Sequence, residues 1–108
     1  MAERVVAWTR TALGDLEALI DYIAADDPAA ATRVLDRIER RAGALESQSA
    51  RGRVVQELRE VGVLHYRELV ERPWRIIYRV EGKRVLVLAV LDSHRDLQAL
   101  LLERLVRS

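Results

Sequence analysis

Residues Val85 to Leu91 read Val-Leu-Val-Leu-Ala-Val-Leu, a run with no polar position. A strand of this kind needs apolar cover on both faces, which places it inside a sheet rather than at its edge. Just before it, Trp74, Ile76, Tyr78 and Val80 alternate with Arg75, Ile77, Arg79 and Glu81, the period of two expected of a strand with two unlike faces. Glu81-Gly82-Lys83 supplies the turn between them. The chain must therefore build a hairpin at its centre and find layers to cover both sides of it.

The remaining segments supply those layers. Arg4 to Trp8 is a short apolar run, read as a first strand. Thr9 or Thr11 offers a helix N-cap. Leu13, Leu16, Ile20 and Ile23 then recur at helical spacing, with Asp15 and Glu17 in the opening turns. Asp26-Asp27-Pro28 stops this helix and starts another, because proline is tolerated at the first helical position behind an Asp cap. Ala31, Val34, Leu35, Ile38, Ala42 and Leu45 form the apolar face of the second helix, and Arg33, Arg37, Arg40 and Arg41 its outer face. So short a link predicts an antiparallel helical hairpin. Ser47 to Gly52 is polar and small, a loop. Val63 to Val70 reads as a weak strand. Ser93 and Asp96 have the spacing of a capping box, and Leu97, Leu100, Leu101 and Leu105 give a last helix its stripe. The expectation is one α+β domain over residues 1–108. In it a helical hairpin packs on a small antiparallel sheet of about four strands, with a C-terminal helix.

Composition removes several classes of function. There is no cysteine, so disulfides and thiolate metal sites are excluded, and two histidines alone are a poor basis for zinc. The first ten residues carry charges and no long apolar core, unlike a secretory signal, and no apolar run reaches membrane-spanning length. A cytoplasmic location without membrane contact is the expectation. The net charge of +1 conceals an asymmetry: residues 1–50 hold 6 Arg against 9 Asp and Glu, while residues 51–108 hold 12 Lys and Arg against 8. Lys83 is the only lysine. Arginine's planar fork suits carboxylate and phosphate, although arginine richness also follows from genomic base composition. The apolar surface of three amphipathic helices leaves two arrangements open. Either a trough remains for a partner, or the C-terminal helix closes the core.

The helical hairpin, a Gly-Arg loop at Gly52-Arg53, the segment Tyr66-Arg67-Glu68-Leu69, then Trp74-Arg75-Ile76-Ile77-Tyr78-Arg79-Val80 and Val90 to Asp96 follow one another in a fixed order. In this order and spacing the chain resembles the RelE/ParE toxins over nearly its whole length. The resemblance implies one of two activities. RelE-like members cut mRNA on the ribosome; ParE-like members block DNA gyrase and lack nuclease activity. Both are silenced by an antitoxin whose C-terminal segment wraps the toxin, and a toxin–antitoxin heterotetramer is among the assemblies implied. A relative that keeps the fold and the antitoxin groove without toxicity is a third possibility. No cofactor and no metal are implied.

Carried over residue by residue, the resemblance matches Arg75 to an arginine facing RNA and Arg95 to a basic residue near the scissile phosphate. Arg67 stands where RelE-like enzymes carry a lysine. Leu69 replaces a second lysine, and Leu101 stands near the place of a catalytic tyrosine. These two departures favour the ParE-like reading, with growth inhibition and plasmid stabilisation as its expected consequences. Cleavage by a 2′-hydroxyl requires a base, an acid and cations for the phosphorane charge. The nuclease alternative would draw these from Glu68, His94, Arg75 and Arg95. Glu68 has a competing role as a surface partner of Arg67 or Arg84, and His94 as a plain surface residue. Strand alternation turns Arg75 away from the Trp74–Tyr78 stripe, with Arg79 on the same face. Arg67, Arg75, Arg79, Arg37 and Arg41 are the candidates for contact with antitoxin or target. Tyr78 and Trp74 are expected in the core, and His65 half exposed on a strand.

Overall fold

A computed structural model of the chain describes residues 3–92 and 97–107. Strand β1 (Val5–Trp8) leads into helix α1 (Arg10–Ala24) and helix α2 (Pro28–Gly43), which ends in a single 3-10 turn, Ala44–Glu46. Strand β2 (Arg53–Val54) and the short helix α3 (Gln56–Arg59) follow. Strands β3 (Tyr66–Glu71), β4 (Trp74–Glu81) and β5 (Arg84–Asp92) then form a meander, and helix α4 (Leu97–Arg107) comes last.

The caps are those the sequence offers. The Thr9 hydroxyl accepts from the Ala12 amide at 3.1 Å, and the Asp27 carboxylate accepts from the Ala30 amide at 3.1 Å, with Pro28 opening α2. Each satisfies an amide that the first helical turn leaves without a partner. The apolar face of α1 is rotated from its predicted centre. Ala12 and Leu16 are buried, Ile20 and Ile23 are half-buried, and Leu13 is exposed.

The sheet runs β1-β5-β4-β3-β2. The fold class is α+β as expected, but the sheet has five strands and is mixed: β1 lies parallel to β5, with Val5 opposite Arg84 and Trp8 opposite Val87. Alternation of side chains is the same in both kinds of ladder, so a sequence pattern cannot tell the direction of a neighbour. The second departure lies between Gly52 and Tyr66. There the chain makes β2 and α3, and β3 begins only at Tyr66, three residues later than the weak strand predicted from Val63. His65 stands before the strand, exposed, with its ring 4.5 Å from that of Tyr66.

β5 sits between β1 and β4 and is covered on both sides, as its composition demands. One core joins Val85, Val87 and Val90 to Leu16, Val34, Ile38, Ile76 and Tyr78 beneath the α1–α2 hairpin. The other joins Leu86, Leu88, Ala89 and Leu91 to Leu58, Tyr66, Ile77, Leu97 and Leu101 beneath α3 and α4. Strict alternation would not send both Leu88 and Ala89 to one side. A bulge does this: Ile77 pairs with Ala89 and Tyr78 with Val87, so Leu88 is skipped.

The C-terminal helix closes the second core through Leu97 and Leu101. An apolar cavity of about 60 Å³ remains beneath it, bordered by Leu58, Tyr66, Ile77, Leu88 and Leu101. α4 is also tied to α1: Arg104 makes two bonds to the Asp15 carboxylate, at 2.6 and 2.9 Å, and Asp15 accepts the Val90 amide at 3.0 Å. Val90 lies beyond the end of the β1 ladder, so the carboxylate replaces the missing strand partner.

Candidate functional site

Arg75 lies on β4 and faces the α3–α4 side of the sheet, away from Ile76 and Tyr78. Its orientation is the one strand alternation predicts, but its surroundings are not. It is only 7% exposed and meets two carboxylates. Its Nε donates to Glu68 Oε1 at 2.6 Å and its Nη2 to Glu68 Oε2. Glu57, reaching over from α3, takes Nη1 on Oε2 at 2.6 Å and Nη2 on Oε1 at 2.7 Å. Both carboxylates are thus bidentate on one guanidinium, a geometry that arginine's planar fork permits and lysine's does not.

Electrostatics follow from this geometry. The Arg75 bond draws the Glu57 carboxyl below the usual carboxylate range, against the opposing effect of burial. Glu57 and Glu68 together raise the Arg75 guanidinium further above its already high value. Two carboxylates around one cation leave an excess negative charge, and Arg53, on the edge strand β2, approaches Glu68 Oε1 at 3.5 Å. That brings the cluster to neutrality, which a buried charge requires.

The expectation that Arg75 is offered to another macromolecule is corrected by this arrangement. A phosphate could reach its guanidinium only by displacing a carboxylate. The expectation of Glu68 as a surface partner of Arg67 or Arg84 is corrected too: it is 1% exposed and bound to Arg75 and Arg53. Strand pairing explains why. Glu68 sits opposite Ile77, on the same face as Arg75, so the two are diagonal neighbours across β3 and β4.

Arg79 shares that face, where its Nε donates to Glu81 at 3.0 Å and its Nη1 to the Tyr66 hydroxyl at 3.0 Å. Arg67 donates to the Gly52 carbonyl at 2.8 Å and holds the loop before β2. Tyr78, in the core as expected, completes that anchorage: its hydroxyl accepts the Gly52 amide at 2.8 Å and donates to the Ser49 carbonyl at 2.9 Å. Burial pushes the Tyr78 hydroxyl up from its ordinary pKa. Arg37 and Arg41 stand elsewhere, on α2, both beside Glu71 at 3.6 and 3.5 Å. Of the nuclease candidates, the fold brings Glu68 and Arg75 together. His94 and Arg95 lie outside the described residues, as do the cap Ser93 and its companion Asp96.

Sequence reasoning missed Glu57 because α3 has four residues, too few for a helical period to show. It also missed Arg53 and Arg72. With Arg37, these border a depression of about 600 Å³ floored by Val70 and Glu71. Among the described residues no group of three or more His, Cys, Asp or Glu is placed to hold a metal ion. No helix among them is long and apolar enough to cross a membrane.

The family model for the ParE toxin of the type II toxin–antitoxin system parDE matches residues 6–97. The chain belongs to the ParE toxin family. It is 34% identical over 98 residues to Y4kP, a candidate toxin of Sinorhizobium fredii, covering 89% of this chain and 95% of that one. Among solved structures it resembles a chain of the chromosomal ParDE system of P. aeruginosa. That match has a TM-score of 0.71 and 26% identity, over 85% of this chain and 98% of the other. It also shares its fold with a chain of the RelBE2 toxin–antitoxin complex of Mycobacterium tuberculosis, with a TM-score of 0.58 and 22% identity over 85% and 93%. As a ParE-family toxin the chain has the α+β architecture of that group.

Proposed function

We propose that this chain is the toxin of a type II toxin–antitoxin pair, that it arrests growth by binding DNA gyrase, and that a cognate antitoxin holds it silent. The family supports a toxin, and the ParDE and RelBE2 relatives belong to toxin–antitoxin systems. The choice of gyrase over mRNA rests on the Arg75 cluster. The cation that a nuclease would aim at a phosphate has every terminal nitrogen committed to Glu57 and Glu68. Glu68, the candidate base, has a fully buried side chain held by the same bonds. Inhibition by a protein–protein contact needs neither a free base nor an open cation.

The experiment is induction of the chain without antitoxin, scored for DNA damage response and for mRNA decay. The gyrase mechanism predicts the first with bulk mRNA intact. Rapid, ribosome-dependent cleavage of mRNA would reverse the choice, and harmless induction would remove toxicity altogether.

A further inference from the structure

Four neighbouring depressions join into one continuous track. The first, beside the 47–52 loop, is lined by Arg4 and Arg51. Arg51 also lines the second, where Arg37, Arg40 and Arg41 of α2 stand over Leu45 and Leu69. Arg37 and Glu71 carry the track into the third, which Arg53 and Arg72 border. The same two arginines open the fourth, in front of the sealed Arg75. The four volumes run from about 300 to about 610 Å³. The arginines come from the segment before β1, from α2, from the loop, from β2 and from the β3–β4 turn, so it is the fold that gathers them.

Glu57 and Glu71 are the carboxylates among the described lining residues, and neither stands unpaired. Glu71 lies 3.6 Å from Arg37 and 3.5 Å from Arg41, and Glu57 is bidentate on Arg75. The cations are less committed. The side chains of Arg40, Arg53 and Arg37 are 76, 69 and 52% exposed. Arg72 is exposed too and makes no ion pair with a described residue. These guanidinium heads stand in water above the apolar floor. No aromatic ring is among the described lining residues.

We infer that this track receives the sugar–phosphate backbone of duplex DNA, so that the toxin holds gyrase and its DNA together. The inference rests on the reading of the chain as a gyrase-binding toxin. A row of projecting arginines suits a polyanion charged at every repeat, and the planar forks match phosphate oxygens. A single strand would need rings on which its bases stack, and the lining supplies none. A duplex offers its phosphates to side chains that reach outward, with no contact to its bases, so the grip is indifferent to sequence. Arg75, committed to Glu57 and Glu68, leaves a track that grips a phosphodiester and does not cut it.

The test is titration of a labelled linear duplex with the purified chain over a range of salt. Log affinity should fall against log salt with a slope of about −4, about 0.9 for each phosphate neutralised, whatever the base sequence. Arg51→Gln with Arg72→Gln should bring the slope to about −2, with the fold intact by circular dichroism. Arg59 on α3 and Lys83 in the β4–β5 turn are exposed and lie off the track. Arg59→Gln with Lys83→Gln removes the same charge and should leave the slope as it was. The unaltered chain should bind DNA-loaded gyrase about tenfold more tightly than bare gyrase, and the Arg51, Arg72 variant should lose that gain. Failure to bind the duplex, tighter binding of polyglutamate or of single-stranded RNA of the same length, or equal slopes for the two double variants overturns the track. So does equal binding of bare and loaded gyrase, which leaves the toxin reading intact. A chain that binds the duplex as described and fails to bind gyrase in either form leaves the track standing and overturns the gyrase reading.

Discussion

Arg75 is the residue whose role changes most between sequence and structure. Its direction was legible, since Trp74 to Glu81 alternates and the strand obeys. Its partners were not, because Glu68 reaches it through strand register and Glu57 through a four-residue helix. The cluster makes a sharp prediction. Glu68→Gln removes one of the two carboxylates on a buried guanidinium that Glu57 still neutralises, and should cost about 1.5–3 kcal/mol in urea unfolding. Glu57 is partly exposed, so Glu57→Gln should cost less, about 1 kcal/mol. A carboxyl held below its unfolded pKa stabilises the fold above that pKa, and the contribution is lost as pH falls through the folded one. The Glu57 contribution should therefore be complete at pH 6, begin to fall near the ordinary carboxyl range at about pH 4, and vanish only below the lowered folded value. A Glu57→Gln variant whose stability deficit persists undiminished at low pH would show that the ion pair is not its source.

At the scale of elements, two contacts organise the sheet. The first is the anchorage of the 47–52 loop on Tyr78. A Cβ at Gly52 would lie 2.5 Å from the Tyr78 hydroxyl oxygen and 2.6 Å from the Glu68 carbonyl, so Gly52→Ala must displace β2 from its place. Tyr78→Phe strips the Gly52 amide of its partner and should cost about 1–3 kcal/mol by urea titration. Because the buried hydroxyl has a raised pKa, its contribution is complete below about pH 10 and falls as pH rises through the folded value. The Tyr78→Phe protein should therefore lack that alkaline loss. The second contact is the Arg104–Asp15 bridge from α4 to α1. Asp15→Ala removes it and leaves the Val90 amide unpaired, so hydrogen exchange should quicken at Val90 and along α4 while the α1–α2 hairpin stays protected. Unchanged exchange in α4 would mean that Leu97 and Leu101 suffice to dock it. Helices α1, α2 and α4, the Thr9 and Asp27 caps and the central hairpin were readable from spacing alone. The parallel β1–β5 pair and the Leu88 bulge were not, since direction and register are properties of two strands together.

The whole molecule has helices on both faces of a five-stranded sheet, and arginines from both halves of the chain gather at one border of it. The basic C-terminal half supplies Arg53 and Arg72, which meet the arginines of α2 at one border of the sheet. The opposite border, β1, follows the parallel pairing with β5 and carries the exposed Val5. The proposed function, binding rather than cutting, takes Arg75 as a structural cation held by Glu57 and Glu68. The direct test is inhibition of DNA supercoiling by purified gyrase with the unaltered chain and with a Glu68→Gln, Arg75→Gln double variant, whose charges cancel and whose fold is verified by circular dichroism and thermal unfolding. A structural Arg75 predicts inhibition within about threefold of the unaltered chain. A folded double variant that has lost growth arrest, alongside an unaltered chain that cuts ribosome-bound mRNA and leaves supercoiling untouched, would contradict it.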